Sequence, residues 1–450
     1  MSKMGKIFWL LVYFLSPLIT ISIFYIITPD FYHTPLHMLA TGFAIAAYVW
    51  LTYEFILTSR PKFLDQNFGM DKIIDFHAAM SVVALLLGII HAIIIINIRA
   101  NITQIGTGLI HILLYAIVMV LGLAFLSNTV LLRFKPFQRL SNGTTKLLTI
   151  RYHVAKAIHN ITMIATIVLY FHLLVATATT YSVLLQVIYT IHFVIGVVFW
   201  INHKFIRTRR IRKNPYTISE VIKDSTLIWS LKITPENGEI FKYQPGQYIY
   251  LTIFGKYVSK EPHPFTIASS PTQKQLILTI KESGDYTSNI GTVEIGDKAY
   301  IDGPYGIFKP LESEAEEIVF IAGGVGITPF LSALRFIRDN NDNESRNITL
   351  IWGIRIQEEM ILESEFEEFK KKIPNFTMIH VLSEDDDWAG ECGFVDRDRL
   401  DRYAACEDPD EAKQKKDYYI CGPKEMSDKV IPTLRLMGVS KKYIHLERFG

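Results

Sequence analysis

Cysteine is scarce in this chain of 450 residues: there are three, Cys392, Cys406 and Cys421, and none precedes residue 392. No pair has the spacing of a zinc site, and the odd count favours a reducing compartment without a disulfide framework. Acidic residues are the second shortage, and it is local. Residues 1–213 hold five of them against 18 Lys and Arg, a formal charge of +13. The remainder reverses this, with 28 basic and 39 acidic residues, so the net +2 conceals two bodies of different character. The basic excess lies in loops between apolar runs, where membrane orientation accounts for it and no nucleic acid is needed. Internal repeats are also lacking, which argues against a solenoid. The length exceeds one domain.

What the first half has is hydrophobic length. The start, MSKMGKIFWLLVYFLSPLITISIFYIIT, carries more than twenty apolar residues after a short basic lead. A signal peptide would have a shorter core and a cleavage site, so this reads as a retained span. Further spans follow at 37–58, 73–98, 108–128, 154–177 and 182–203, making six. With the N-terminus inside, the inner segments hold seventeen Lys and Arg, and the outer loops hold only Arg99. That asymmetry places both termini in the cytoplasm.

The stretch Met70 to Ile98 contains His77 and His91, fourteen residues apart. On a helix this spacing rises ~21 Å and returns to nearly the same face. Arg151 to Thr177 carries a second pair, His159 and His172, whose thirteen-residue spacing leaves the rings ~140° apart on an ideal helix. That helix must kink, or its rings must point to different sides. Ionisable side chains within a span are costly and mark function, and neutral imidazole is a common ligand of haem iron. Depth pairs His77 with His159 for an inner haem and His91 with His172 for an outer one. The alternative is four interior histidines hydrogen-bonded to neighbouring helices. His111 and His192 stand as reserve ligands or face an acceptor cavity. His153 sits in a basic inner rim with Arg151 and Lys156, suited to haem propionates or to interfacial anchoring. Glu54 is expected to snorkel or to pair with Arg60.

Beyond Lys213 the pattern changes. TLIWSLKIT, QYIYLTIF, HPFTIAS, QLILTIK and KAYIDGPYG are short β-branched and aromatic runs bounded by turns, as in a small antiparallel barrel. From about residue 316 strand and helix alternate: EEIVFIAGG, ITPFLSALRFIRD, RNITLIWGIR, EFEEFKKKI, FTMIHVLS and DYYICGP. That is the pattern of a parallel α/β sheet. The polar run 401–417 reads as an exposed insertion or helix.

Five motifs follow in order: HPFTIASS from His263, KESGDYTSNI from Lys281, GPYG from Gly303, GGVGITP from Gly323, and YICGP ending at Pro423. A glycine turn between strand and helix lets the backbone approach a pyrophosphate at the helix N-terminus. The ordered set resembles the ferredoxin-NADP reductase family. Joined to six spans with paired histidines, the chain resembles the transmembrane NADPH oxidases and ferric reductases, including bacterial members, over nearly its whole length.

The resemblance implies a multi-domain protein of the plasma membrane. An all-α six-helix transmembrane bundle would span 1–206, an antiparallel β-barrel flavin domain 207–311, and an α/β parallel-sheet nucleotide-binding domain 312–450. His263, Pro264, Phe265 and Thr266 would line FAD, with Thr266 near the reactive ring nitrogen. Lys281, Gly284, Tyr286, Thr287 and Ser288 would hold the FAD pyrophosphate region. Gly324, Gly326, Ile327 and Thr328 would bind the phosphates of NADPH or NADH. Cys421, Gly422 and Pro423 would sit by the nicotinamide, and Phe449 would stack on the flavin and move aside for it. Arg355 could pair with a ribose 2′-phosphate and favour NADPH, or could be a surface arginine. The implied activity is electron transfer from NAD(P)H through FAD and two haem b groups to dioxygen, giving superoxide. A ferric or metal-chelate reductase is the second reading, since eukaryotic oxidases of the family carry a further histidine where this chain has Ile95. A third, of another class, is a six-span permease or channel regulated by nucleotide binding.

Overall fold

The computed structural model describes residues 3–29, 34–97, 102–125, 158–180, 182–340, 344–385, 387–405 and 415–448. They form two compact units, Met1–Thr208 and Arg209–Gly450.

The helical unit contains α1 (Lys3–Ile27), α2 (Pro35–Thr58), α3 (Lys62–Phe68), α4 (Met70–Asn97), α5 (Ile102–Phe125), α6 (Thr162–Val175) and α7 (Val183–Ile201). Local chemistry sets the ends. The Thr34 side chain accepts from His37 N at 3.2 Å with Pro35 opening α2, and Ser182 caps α7 by accepting from Leu185 N at 3.4 Å. Gly69, at φ 79°, separates α3 from α4. The core is formed by Tyr48, Val49, Ala84, Leu85, Ala165, Leu169 and Tyr189. Tyr48 donates to the Tyr189 carbonyl at 2.7 Å, tying α2 to α7.

Four helices among the described residues are long and apolar enough to cross a membrane: Met4–Ile27, Pro35–Thr58, Met70–Asn97 and Val183–Arg212. Two further apolar helices, Ile105–Val120 and Thr162–Val175, are shorter than that. The expectation of six spans is thus met clearly at four. Outward faces expose Leu86, Ile93, Phe171 and Val187, as a lipid-facing surface would. Of the two outcomes expected from the His159–His172 spacing, a break in the helix is seen: Asn160 and Ile161 form a turn, and α6 begins only at Thr162. In contrast, α4 carries His77 and His91 without interruption.

The second unit opens with β1 (Tyr216–Lys223), β2 (Ile228–Pro235), β3 (Tyr248–Ile253), β4 (His263–Thr266), β5 (Leu276–Lys281) and β6 (Lys298–Tyr305). They form an antiparallel sheet in the order β4-β3-β6-β1-β2-β5. Its two ends meet where Ala268 N donates to Ile277 O at 2.8 Å, beside β4 and β5. Inward-facing Ile218, Leu231, Ile233, Ile249, Leu251 and Leu278 fill it. Alternation along each strand produces this one-sided burial.

A parallel sheet follows, from β7 (Glu317–Gly323), β8 (Asn347–Ile354), β9 (Phe376–Leu382), β10 (Glu391–Cys392), β11 (Lys416–Gly422) and β12 (Ile444–Arg448). Helices α8 (Thr328–Asn340), α9 (Glu363–Lys372), α10 (Arg397–Tyr403) and α11 (Lys424–Leu436) accompany it. The order is β10-β9-β8-β7-β11-β12. The chain therefore runs outward from β7 on one side and returns to β11 on the other. In such sheets the crevice beyond the strand ends at this reversal is where ligands bind. The polar run splits: 401–403 close α10, and 406–414 lie outside the described residues.

Candidate functional site

Topology alone picks the C-terminal ends of β7 and β11, and the sequence motifs lie there. Gly324 takes φ +53°, and Gly324–Ile327 forms a 3-10 turn leading into α8 at Thr328. A Cβ at Gly326 would stand 2.2 Å from the Cys421 carbonyl oxygen, so only glycine lets this turn lie on the end of β11. Gly422 also packs closely, its virtual Cβ 2.9 Å from Gly323 N, and Pro423 leads into α11. Trp352 Nε1 donates to Gly324 O at 2.9 Å and fixes the turn from β8. Gly324, Gly326, Ile327, Thr328, Cys421, Gly422 and Pro423 are thus one cluster. Burial, and then the Glu447 charge, push the Cys421 thiol well above its ordinary pKa, so it remains a neutral thiol.

The second cluster joins β4 to the turn after β5. The His263 ring stacks on Tyr286 at 3.6 Å, and Phe265 lies 6.1 Å from the same ring. Thr266 is buried and pairs with Tyr248 across β3. Thr287 Oγ1 accepts from Ser283 N at 2.8 Å and Gly284 N at 3.1 Å, and Ser288 Oγ donates to Gly284 O at 2.5 Å. The Tyr286 hydroxyl is buried without a hydrogen-bond partner among the described residues. A buried hydroxyl left unpaired costs free energy, and a polar ligand laid against this ring would satisfy it.

Lys281 and Arg355, expected at two different phosphates, meet one carboxylate. Glu359 Oε1 accepts from Lys281 Nζ at 2.9 Å and from Arg355 Nη2 at 2.8 Å. Burial would raise the Glu359 carboxyl, but hydrogen bonds from Arg355 and Lys281 hold it below its ordinary value. Arg355 is half-exposed, yet already paired. Sequence reading missed Glu359, which carries no motif. It also missed Arg335, a buried α8 cation donating to Ala268 O at 2.9 Å and twice to Glu365, at 2.8 and 2.6 Å. With Ser332 Oγ donating to Ser269 O at 2.6 Å, it locks α8 onto the segment after β4. Phe449 lies outside the described residues, as does His153.

In the helical unit, His77 and His159 face each other with ring centres 6.2 Å apart and planes at 83°. Two imidazoles bonded to one metal from opposite sides, at roughly 2 Å each, hold their centres about 6 Å apart. His77 Nδ1 binds Glu54 Oε2 at 2.5 Å, His91 Nδ1 donates to Ala40 O at 2.9 Å, and His172 Nδ1 meets Thr107 Oγ1 at 2.9 Å. Each of these three keeps Nε2 without a hydrogen-bond partner among the described residues, the arrangement of a metal-ligating histidine. His159 Nδ1 is buried with no partner among the described residues. The His111 ring lies 5.5 Å from that of His172. Among the described residues no three His, Cys, Asp or Glu side chains gather as a metal cage, but a porphyrin supplies four of its own metal's ligands.

Two expectations change. Glu54 neither snorkels nor pairs with Arg60: it is buried, with the Tyr13 hydroxyl on its other oxygen at 3.1 Å. His192 binds Thr20 Oγ1 at 3.1 Å and Tyr53 Oη at 3.2 Å through its two nitrogens, so both are occupied and it has none to offer a metal.

Known proteins fit this geometry in the second unit. Residues 219–309 match the family model described as FAD-binding domain, and residues 320–431 match the oxidoreductase NAD-binding domain. A component of the Na(+)-translocating NADH-quinone reductase from Neisseria meningitidis is 29% identical over 283 residues, covering 53% of this chain and 69% of that protein. Its counterpart from Haemophilus influenzae is 28% identical, covering 53% and 68%. Among solved structures, the FAD/NAD binding domain of a nitric oxide dioxygenase from Vibrio cholerae is similar at 22% identity and TM-score 0.45, covering 53% of this chain and 98% of that one. The chain is thus an oxidoreductase with an FAD-binding and an NAD-binding domain behind an apolar N-terminal region.

Proposed function

We propose that this protein carries electrons from NADH through FAD to two bis-histidine haems in a six-span membrane unit, and on to dioxygen at the outer face. The observation that carries the reading is the set of four histidines on apolar helices, three with Nδ1 engaged and Nε2 without a partner among the described residues, and one pair 6.2 Å apart. His77 and His159 would hold the inner haem, His91 and His172 the outer one. Gly88, on the face between His77 and His91, has nothing within 4 Å of where a Cβ would stand, which leaves room for a flat ring.

Bound FAD converts a two-electron hydride into single electrons, and haem iron passes one at a time. The chain's own residues provide the setting. Gly324 and Gly326 let phosphates reach the backbone after β7. Cys421, its thiol buried and neutral, would back the place of the nicotinamide at the end of β11, and Thr266 with the His263–Tyr286 stack would line the flavin side. Gly284 and Ser288 belong to the turn suited to the flavin's pyrophosphate, while Lys281 at the end of β5 is held by Glu359. NADH is favoured over NADPH because Arg355 is already neutralised by Glu359, so a 2′-phosphate would have to displace a carboxylate. The relatives' name, NADH-quinone reductase, agrees with that donor.

The same name favours a second reading, in which a quinone is the acceptor. The experiment follows NADH oxidation by the purified protein in lipid, with oxygen, with a ferric chelate and with a quinone. The proposal expects superoxide stoichiometric with NADH in air. Quinone or chelate reduction at full rate without oxygen, with negligible superoxide in air, would replace the acceptor named here.

A further inference from the structure

Glu54 is an acidic side chain buried near the inner end of a predicted span, and the haem reading does not by itself explain it. It stands on α2 with both oxygens in use: Oε2 lies 2.5 Å from His77 Nδ1, and Oε1 accepts from the Tyr13 hydroxyl at 3.1 Å. Tyr13 on α1 is itself fixed by an edge contact with Phe76, 4.9 Å between ring centres. Three helices thus converge on one imidazole. An acidic group buried there is expensive, and truncating either partner would leave the other unpaired.

The other histidines are held differently. His91 Nδ1 meets the neutral carbonyl of Ala40, and His172 Nδ1 meets the neutral hydroxyl of Thr107. A carboxylate on Nδ1 fixes tautomer and ring plane and makes Nε2 a more basic ligand than a carbonyl or hydroxyl does. A more basic axial ligand favours the oxidised metal and so lowers the reduction potential. We propose that Glu54, clamped by Tyr13, is a positioning residue for His77 that makes the inner haem the more reducing of the two. Electrons then run downhill from the inner to the outer centre. The inference rests on the haem reading above.

The test is redox potentiometry of the full-length protein, followed by haem absorbance, with low-temperature electron paramagnetic resonance of the oxidised low-spin haems. Glu54→Gln keeps the side-chain shape and removes the charge. Expected are two retained haems, one potential raised and its resonance signal shifted, and the other haem unmoved. Glu54→Asp should restore most of the wild-type value, and Tyr13→Phe should move the same haem in the same direction by less. Two retained haems with both potentials unmoved in Glu54→Gln and Tyr13→Phe would overturn the role of Glu54. If Glu54→Gln does not assemble, Tyr13→Phe decides alone by the same criterion. A wild-type protein holding FAD but no haem would instead overturn the haem reading beneath it.

Discussion

In the reductase unit the groups that form a site are neighbours in sequence before they are neighbours in space, whereas in the helical unit they come from separate helices. Gly323 to Thr328 and Cys421 to Pro423 are two short runs whose backbones touch. His77, Glu54, Tyr13 and His159 stand on different helical segments, joined only by packing. On the proposed reading, the physical reason is what each would hold. A pyrophosphate is bound by consecutive backbone groups, so a motif can encode it. A flat ring buried between helices needs ligands on opposite sides, which no single helix can offer.

The contrast breaks first at Gly326. Gly326→Val would drive a side chain into the Cys421 carbonyl, and NADH oxidation should fall about 100-fold. Haem content should stay unchanged, as stopped-flow flavin reduction and absorbance together would show. In the helical unit the matching test is His159→Ala. Its Nδ1 holds no partner among the described residues, so little structure is lost and, on the proposed reading, one haem of two should disappear, while flavin reduction by NADH continues. If both haems persist, the inner pair is wrongly assigned.

Arg335 sharpens the comparison by showing what joins the two reductase domains. Arg335→Ala strands an Ala268 carbonyl and leaves Glu365 to Arg338 alone, and an unpaired buried acceptor costs about 1–3 kcal/mol. Thermal unfolding of the second unit should report it. A smaller effect is expected from Glu359→Gln, which releases Arg355: the preference for NADH over NADPH should narrow about tenfold, the size of one charge-assisted hydrogen bond. The same variant has a pH signature. Glu359 is held below its ordinary pKa in the folded protein, so its stabilisation is present above the unfolded value and is lost as pH falls through the folded one. The stability gap between wild type and Glu359→Gln should close on acidification.

Legibility followed the same division. Alternation along strands gave the antiparallel sheet, alternation of strand and helix gave the parallel one, and two motifs lie where Gly326 meets Cys421. The helix break before Thr162 could be anticipated from the thirteen-residue histidine spacing. Glu54 was misjudged because its partner is 23 positions away on another helix, and a lone acid near a basic loop suggests the nearer Arg60. Glu359 and Arg335 left no trace in sequence, since a charged residue on a loop or helix is usually solvated. Their roles exist only where the two domains meet.

The decisive measurement is the ratio of haem to FAD in the purified, cofactor-replete protein, before and after His77, His91, His159 and His172 are replaced together. Two bis-histidine centres predict two haems per FAD falling to none, with FAD retained. A ratio below two at the outset, or two haems surviving the fourfold replacement, would contradict them.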